Sequence, residues 1–172
     1  MEEYIYDLKI PKDRIAVLIG SKGEQKRQLE LQTNCHIEVD SKEGEIKISG
    51  EDSLALFALK ELIRAIARGF NPEIAQRLFK QDYMLEIVTI TDFVKGRSHM
   101  ERLRGRVIGT KGKSRKILED LTECSICVYG KTIGIIGSAE AVAVAKRAVE
   151  SLLSGSPHSS VFTWLEKQHR EV

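Results

Sequence analysis

"VIGTKGKS" occupies residues 107–114, and "LIGSKGEQ" occupies residues 18–25. Both contain G-x-x-G, as Gly20-Ser21-Lys22-Gly23 and Gly109-Thr110-Lys111-Gly112, at an offset of 89 residues. The same offset pairs Ile19 with Ile108, Leu29 with Leu118, Glu30 with Glu119 and Thr33 with Thr122. It also pairs Cys35 with Cys124, Ile37 with Ile126 and Val39 with Val128. After a two-residue slip in the following turn, "IKISG" (46–50) matches "IGIIG" (133–137). Agreement at so many positions in one register marks an internal duplication, with units of roughly 80 residues.

Gly112-Lys113-Ser114 looks like the end of a nucleotide-binding P-loop. A Walker A loop needs four residues between its glycines and a strand leading into it. Here two residues separate the glycines, and the place of the first Walker glycine is taken by Val107. The other copy has Glu24-Gln25 where Lys113-Ser114 stand. A nucleoside triphosphate clamp, and an enzyme built on one, are therefore set aside.

The two units share one hydropathy pattern. Each opens with an extended, β-branched and aromatic segment, "YIYDLKI" (4–10) or "LEIVTITDF" (85–93). A short helix enters the glycine loop, with Leu103 and Val107 on one face of the second copy. Longer helices follow over Glu24–Thr33 and Lys113–Thr122, then strands "HIEVD" and "SICVY". A turn at Gly44 or Gly130 leads to a third strand, and an amphipathic helix over 51–68 or 138–153 closes each unit. The order is β-α-α-β-β-α, an α+β fold. Asn71-Pro72 supplies an N-cap and an N1 proline for a linker helix over about 72–84. Val161–His169, carrying Trp164, reads as one more helix, to dock either on the body of the chain or on a partner. The expected division is 1–69, a helical linker 70–84, a second unit 85–155 and a tail 156–172.

Charge is nearly balanced, with 27 Lys plus Arg against 25 Asp plus Glu, but it is unevenly placed. Between Lys95 and Lys116 stand nine basic residues and one acid, Glu101. No apolar run approaches the ~18 residues of a membrane span, and no segment reads as a signal peptide. A cytoplasmic protein with free thiols at Cys35, Cys124 and Cys127 is expected. Cys124-x-x-Cys127 has metal-ligand spacing but lacks the second pair that a structural zinc needs, so packing is its expected role. No histidine, cysteine or carboxylate set has the spacing of a catalytic group. Neither cofactor, metal nor enzymatic activity is expected.

A G-x-x-G turn between two helices lets the backbone turn sharply and clears side chains from its surface. A sugar-phosphate chain can then lie against the peptide at a helix N-terminus, with the loop lysine adding a charge. With "VLIGSKG" and "LQTNCHIEVD", and with "RVIGTKG" and "ILEDLTECSICVYGKTIGIIG", both units resemble type I KH domains. The resemblance implies a three-stranded antiparallel sheet with helices on one face in each unit. It implies single-stranded RNA binding, the GXXG loop holding about four nucleotides of backbone. The bases would then lie in a groove between the loop with its helices and the middle strand. "GFNPEIAQRLF" (69–79), "VYGKTIGIIG" (128–137) and "SPHSSVFTWLEKQHR" (156–170) further resemble the archaeal relatives of the Dim/Pno family of small-subunit assembly factors. That implies binding near the 3′ end of (pre-)16S ribosomal RNA. It also implies two protein partners, the alpha subunit of translation initiation factor two and the endonuclease that trims the rRNA 3′ end.

The expected RNA-contacting residues are Gly20, Ser21, Lys22, Gly23 and Lys26 in the first unit. In the second they are Arg102, Arg104, Arg106, Gly109, Thr110, Lys111, Gly112, Lys113 and Arg115. The copies differ in charge. Asp13, Ile15 and Val17 stand where the second unit has the three arginines, and Glu24 stands for Lys113. The second unit is thus expected to grip RNA more strongly. A general single-stranded nucleic-acid binder in RNA decay or translation, and an adaptor whose first unit binds protein, are the alternative readings.

Overall fold

The computed structural model describes residues 2–94 and 96–171, without the Arg97 side chain. Lys95 and that side chain, both in the basic run, lie outside the described residues. The chain divides into two compact units, Met1–Gln81 and Asp82–Val172.

In the first unit the order is β1 (Tyr4–Lys9), α1 (Lys12–Ile19), α2 (Glu24–Thr33), β2 (His36–Asp40), β3 (Glu45–Gly50) and α3 (Ser53–Ala67). Both flanking strands pair antiparallel with β3, giving the order β1-β3-β2. Strand alternation sends Ile37, Ile46 and Ile48 inward. They meet Leu18 of α1, Leu29 of α2, and the face of α3 carrying Leu56, Leu59, Ile63 and Ile66, all buried. Asp52 caps α3 by accepting from the backbone N–H groups of Leu54 and Ala55.

After α3 the expected linker helix is shorter than its pattern suggests. Asn71 does cap a helix, accepting from the Ile74 N–H, and Pro72 begins it. That helix, α4, runs only over Pro72–Ala75 and passes into a 3₁₀ turn at Gln76–Phe79. It packs on α3 within the first unit. The strand β4 begins already at Tyr83, because seven residues, Tyr83–Thr89, pair with the strand Thr132–Ser138. Pairing across a sheet overrides the helical propensity of Met84, Leu85 and Glu86.

The second unit continues with α5 (Arg97–Ile108), α6 (Lys113–Thr122), β5 (Ser125–Tyr129), β6 (Thr132–Ser138) and α7 (Ala139–Leu153). Its sheet has the same order, β4-β6-β5. The expected strand 85–93 ends at Thr89 and gives way to a 3₁₀ turn at Ile90–Phe93, with Ile90 fully buried. The α+β class is as the pattern implied, and the two three-stranded sheets with helices on one face are as the resemblance implied. Gly155 (φ +104) ends α7, and α8 (His158–Arg170) packs back on α6 and α7. Val161 and Leu165 are buried there, and Trp164 lies half-buried beneath the Arg147 guanidinium, 4.8 Å from its ring centre. The tail thus docks on the chain itself.

The repeat extends to small polar contacts. The Thr33 and Thr122 hydroxyls each donate back to a leucine carbonyl four residues earlier, of Leu29 and Leu118. Cys35 and Cys124 are buried against Gly50 and Gly137, where an added Cβ would approach the sulfur to 2.8 and 2.7 Å. A small residue is therefore required on β3 and on β6. Burial raises the Cys124 thiol pKa to about 11. No described helix is long and apolar enough to cross a membrane.

Candidate nucleic-acid interface

The two G-x-x-G loops have nearly the same backbone. Gly20 (φ 75, ψ 177) and Gly109 (φ 75, ψ 172) occupy a region open only to glycine. A Cβ there would lie 2.6 Å from that of Gln25 or Ser114. Lys22 (φ 54) and Lys111 (φ 56) are left-handed, an uncommon state for a side-chain-bearing residue, and Gly23 and Gly112 follow at φ 73 and 75. Each loop closes on itself through a Gly23 or Gly112 N–H donating to the carbonyl of the first glycine, at 3.2 and 3.1 Å. Ser21, Lys22, Thr110 and Lys111 are exposed at the tips. Helices α2 and α6 begin directly behind, the Glu24 and Lys113 N–H groups donating back to the carbonyls of Ser21 and Thr110.

A shared brace sets the spacing between each loop helix and its neighbouring strand. The Glu30 carboxylate accepts the Ile37 N–H at 3.0 Å, and the Glu119 carboxylate accepts the Ile126 N–H at 2.9 Å. Lys26 and Arg115, equivalent in the repeat, pair with these same glutamates at 3.4 and 3.5 Å. Arg115 also donates to the Ile126 carbonyl at 3.3 Å. Both cations sit at the rim between loop helix and strand, and neither is a free side chain.

In the first unit this rim opens into a cavity of about 1060 Å³ over β2, lined by Ile19, Lys26, Ile37 and Val39. Four carboxylates, Asp7, Glu38, Asp40 and Glu45, share its wall with Lys9 and Lys47. On β5 the residues equivalent to Glu38 and Asp40 are Cys127 and Tyr129. The first strand is acidic where the second is neutral. The difference lies outside the loops themselves, and the offset of 89 displays it.

The three arginines of α5 part company. At about 100° per residue, Arg102 and Arg106 fall on one side of the Leu103–Val107 stripe and Arg104 on the other, beside Ile108. Arg106 is a structural clamp. Its Nε donates to the Leu152 carbonyl at 2.8 Å and a terminal N–H to the Ser156 carbonyl, closing the end of α7. Two of its donors are thereby directed to the carbonyls of a helix end, and the same residue also lines the cavity beside the loop. Arg14 performs the same task in the first unit, donating at 2.8 Å to the carbonyls of Ile66 and Phe70. Arg14 aligns with Leu103 at the repeat offset, so the pairing of the two clamps is invisible to alignment. Arg104 is half-buried, and its Nε has no hydrogen-bond partner among the described residues. Arg102 and Lys113 are exposed and line a smaller cavity on the α8 side of the loop. Among the described residues no three His, Cys, Asp or Glu side chains are grouped to hold a metal ion.

Comparison with known proteins agrees with this geometry. Residues 84–170 match the second KH domain of PNO1, described as a eukaryotic type KH-domain of type I, and residues 5–65 match the KH domain family. A KH domain-containing protein of Methanocaldococcus jannaschii is 43% identical over 96% of this chain and 74% of its own length. The RNA-binding protein PNO1 of Oryzias latipes is 32% identical over 77% of this chain, which spans 56% of that protein. Among solved structures, Dim2p of Pyrococcus horikoshii superposes with a TM-score of 0.90 at 45% identity, over 95% of this chain and 99% of its own. A chain of the a/eIF2alpha-aDim2p-rRNA complex from the same organism superposes with a TM-score of 0.94 at 43% identity, covering 99% of this chain and 96% of that one.

Proposed function

The chain belongs to the PNO1/Dim2 family of KH-domain RNA-binding proteins, and from that membership we propose that it holds single-stranded RNA near the 3′ end of (pre-)16S ribosomal RNA during small-subunit maturation. The observation that carries the proposal is the second G-x-x-G loop. Its tip is exposed, α6 begins behind it, and Lys111, Lys113 and Arg115 surround it beside a neutral β5. Backbone phosphates meet the loop and its lysines, and bases turn toward β5. Nothing in this reading requires a catalytic step, and the protein acts as a binder in the cytoplasm. A relative occurs in a complex named for the alpha subunit of initiation factor two and rRNA. We extend that partnership to this chain, and with it the 3′-end endonuclease that the family resemblance implies.

Crosslinking in cells followed by sequencing of the attached RNA tests the proposal. Reads should concentrate at the 16S 3′ end. Reads scattered over messenger RNA, with no such enrichment, would sink the ribosomal assignment in favour of a general RNA binder.

One observation favours an added adaptor role for the first unit. Tyr4, Ile5, Leu54 and Phe57 are exposed on β1 and α3, with the Lys60 ammonium over the rings of Tyr6 and Phe57. In the second unit, strand register puts Glu86 at the place of Tyr6, and Glu86 pairs with Lys146 at 3.2 Å. The same face is apolar in one unit and ionic in the other, as expected where one copy docks a protein. Protein partners retained on the chain after ribonuclease treatment, and lost in Phe57→Glu, test that role.

A further inference from the structure

A second cavity lies on the far side of the second loop from β5, between α5, α6 and α8. Its volume is about 420 Å³, and no β5 residue lines it. Arg102, Thr110 and Lys113 stand at its rim, and Ile117, His158 and Phe162 form its apolar wall. The His158 ring is fixed by donation from Nε2 to the Arg106 carbonyl at 2.8 Å, and meets Phe162 edge-on with centroids 5.8 Å apart. Ser114, at the start of α6, also lines the cavity. It is 5% exposed, and its hydroxyl has no hydrogen-bond partner among the described residues. A buried hydroxyl left without a partner is costly, and this one adjoins a cavity with room for a ligand.

The first unit changes the residues that make this place. Arg102, Lys113 and Ser114 correspond to Asp13, Glu24 and Gln25, so two cations become two acids. Helix α4 packs on α3, whereas α8 packs on both α6 and α7 and supplies the aromatic wall. Cationic rim, aromatic wall, buried hydroxyl and a helix N-terminus together fit a nucleotide, with its flat base and its phosphate.

We infer that this cavity takes one nucleotide of the RNA strand beyond those held over β5. The base lies against Phe162 and His158, its phosphate lies between Arg102 and Lys113, and the Ser114 hydroxyl hydrogen-bonds the base or ribose. The inference rests on the RNA-binding reading above and extends its footprint around the loop to the tail helix.

Gly105 gives a clean probe. It lines the cavity, and a Cβ added there meets nothing within 4 Å. Gly105→Trp plugs the cavity and leaves the G-x-x-G loop untouched. Full-length protein and variant are titrated with a four-nucleotide and a ten-nucleotide single-stranded RNA. In parallel, 4-thiouridine RNA is photocrosslinked to the unaltered protein and the crosslinked peptides are mapped. The variant should bind the longer RNA about tenfold more weakly, the worth of one stacked base, and the shorter one as before. Crosslinks should include the segment containing His158 and Phe162. Equal binding of the longer RNA by both proteins, or an equal loss at both lengths, overturns the inference. So do crosslinks confined to the β5 side, a result that needs no variant to fold. Failure of the unaltered protein to bind either RNA instead removes the RNA-binding reading on which the inference stands.

Discussion

The two glycine loops share a backbone and differ in what surrounds it. Gly20–Gly23 and Gly109–Gly112 agree in φ to within a few degrees, down to the left-handed lysine in each. Around the first stand Asp13, Glu24, Glu38 and Asp40, and around the second Arg102, Lys113, Cys127 and Tyr129. Duplication preserved the shape that admits a sugar-phosphate chain. Charge, which governs how tightly a polyanion is held, has diverged. Loop geometry alone therefore does not establish that the two units bind RNA equally.

The largest test of that difference is charge reversal at the tips. Replacing Thr110 and Lys111 with aspartates should weaken single-stranded RNA binding about 10²-fold, as two charge-assisted contacts are lost. The same change at Ser21 and Lys22 should cost about threefold or less, since exposed charges beside existing acids add little. Fluorescence anisotropy at fixed salt measures both, and the opposite ranking breaks the comparison.

Next are the glycines that give the loops their common shape. Gly109→Ala places a Cβ 2.6 Å from the Ser114 backbone nitrogen, whereas Gly112→Ala meets nothing within 4 Å. Urea unfolding should show the first destabilised by about 2–3 kcal/mol and the second by about 1 kcal/mol. Equal costs would mean that the first glycine is not required by its conformation.

The division of labour among the α5 arginines predicts a split between stability and salt dependence. Arg106→Ala should cost about 2 kcal/mol of stability by leaving helix-end carbonyls unpaired, and should not change the salt slope of RNA binding. Lys113→Ala should do the reverse, lowering the slope by about one unit. A salt slope that falls with Arg106→Ala would show that residue contacting a phosphate as well as the helix end.

The smallest effect concerns the buried cysteine just past the end of α6, packed against Gly137. Burial lifts the Cys124 thiol from 9.0 to about 11, so the folded state retains a proton that the unfolded chain releases. Its contribution to stability is complete below pH 9 and is lost as pH rises toward about 11. Native protein at pH 8 should accordingly resist alkylation at Cys124, and alkylation at the unfolded-chain rate would contradict its burial.

Much of this molecule was legible in its residues. Strands β2 and β5 and helices α2 and α6 fall within the segments read from periodicity, because alternation and helical spacing are local signals. Less legible were the elements whose ends are set by distant partners. The linker helix passed into a 3₁₀ turn after Ala75, while Tyr83 and Met84 joined a strand pairing some fifty residues further on, and the tail helix began three residues earlier than Val161, at His158.

The duplication, the G-x-x-G turns and the charge contrast follow from sequence alone, since each depends on residue identity at fixed short spacing. The roles of the α5 arginines do not. A helix turns about 100° per residue, so basic side chains two apart face different surroundings. What Arg106 meets is the end of a helix 46 to 50 residues later in the chain. Only the packing of α7 and α8 decided that Arg106 closes the fold, while Arg102 stays exposed on the cavity that both line. That packing is fixed by buried Val149, Leu152, Val161 and Leu165, which no motif identifies as part of the site.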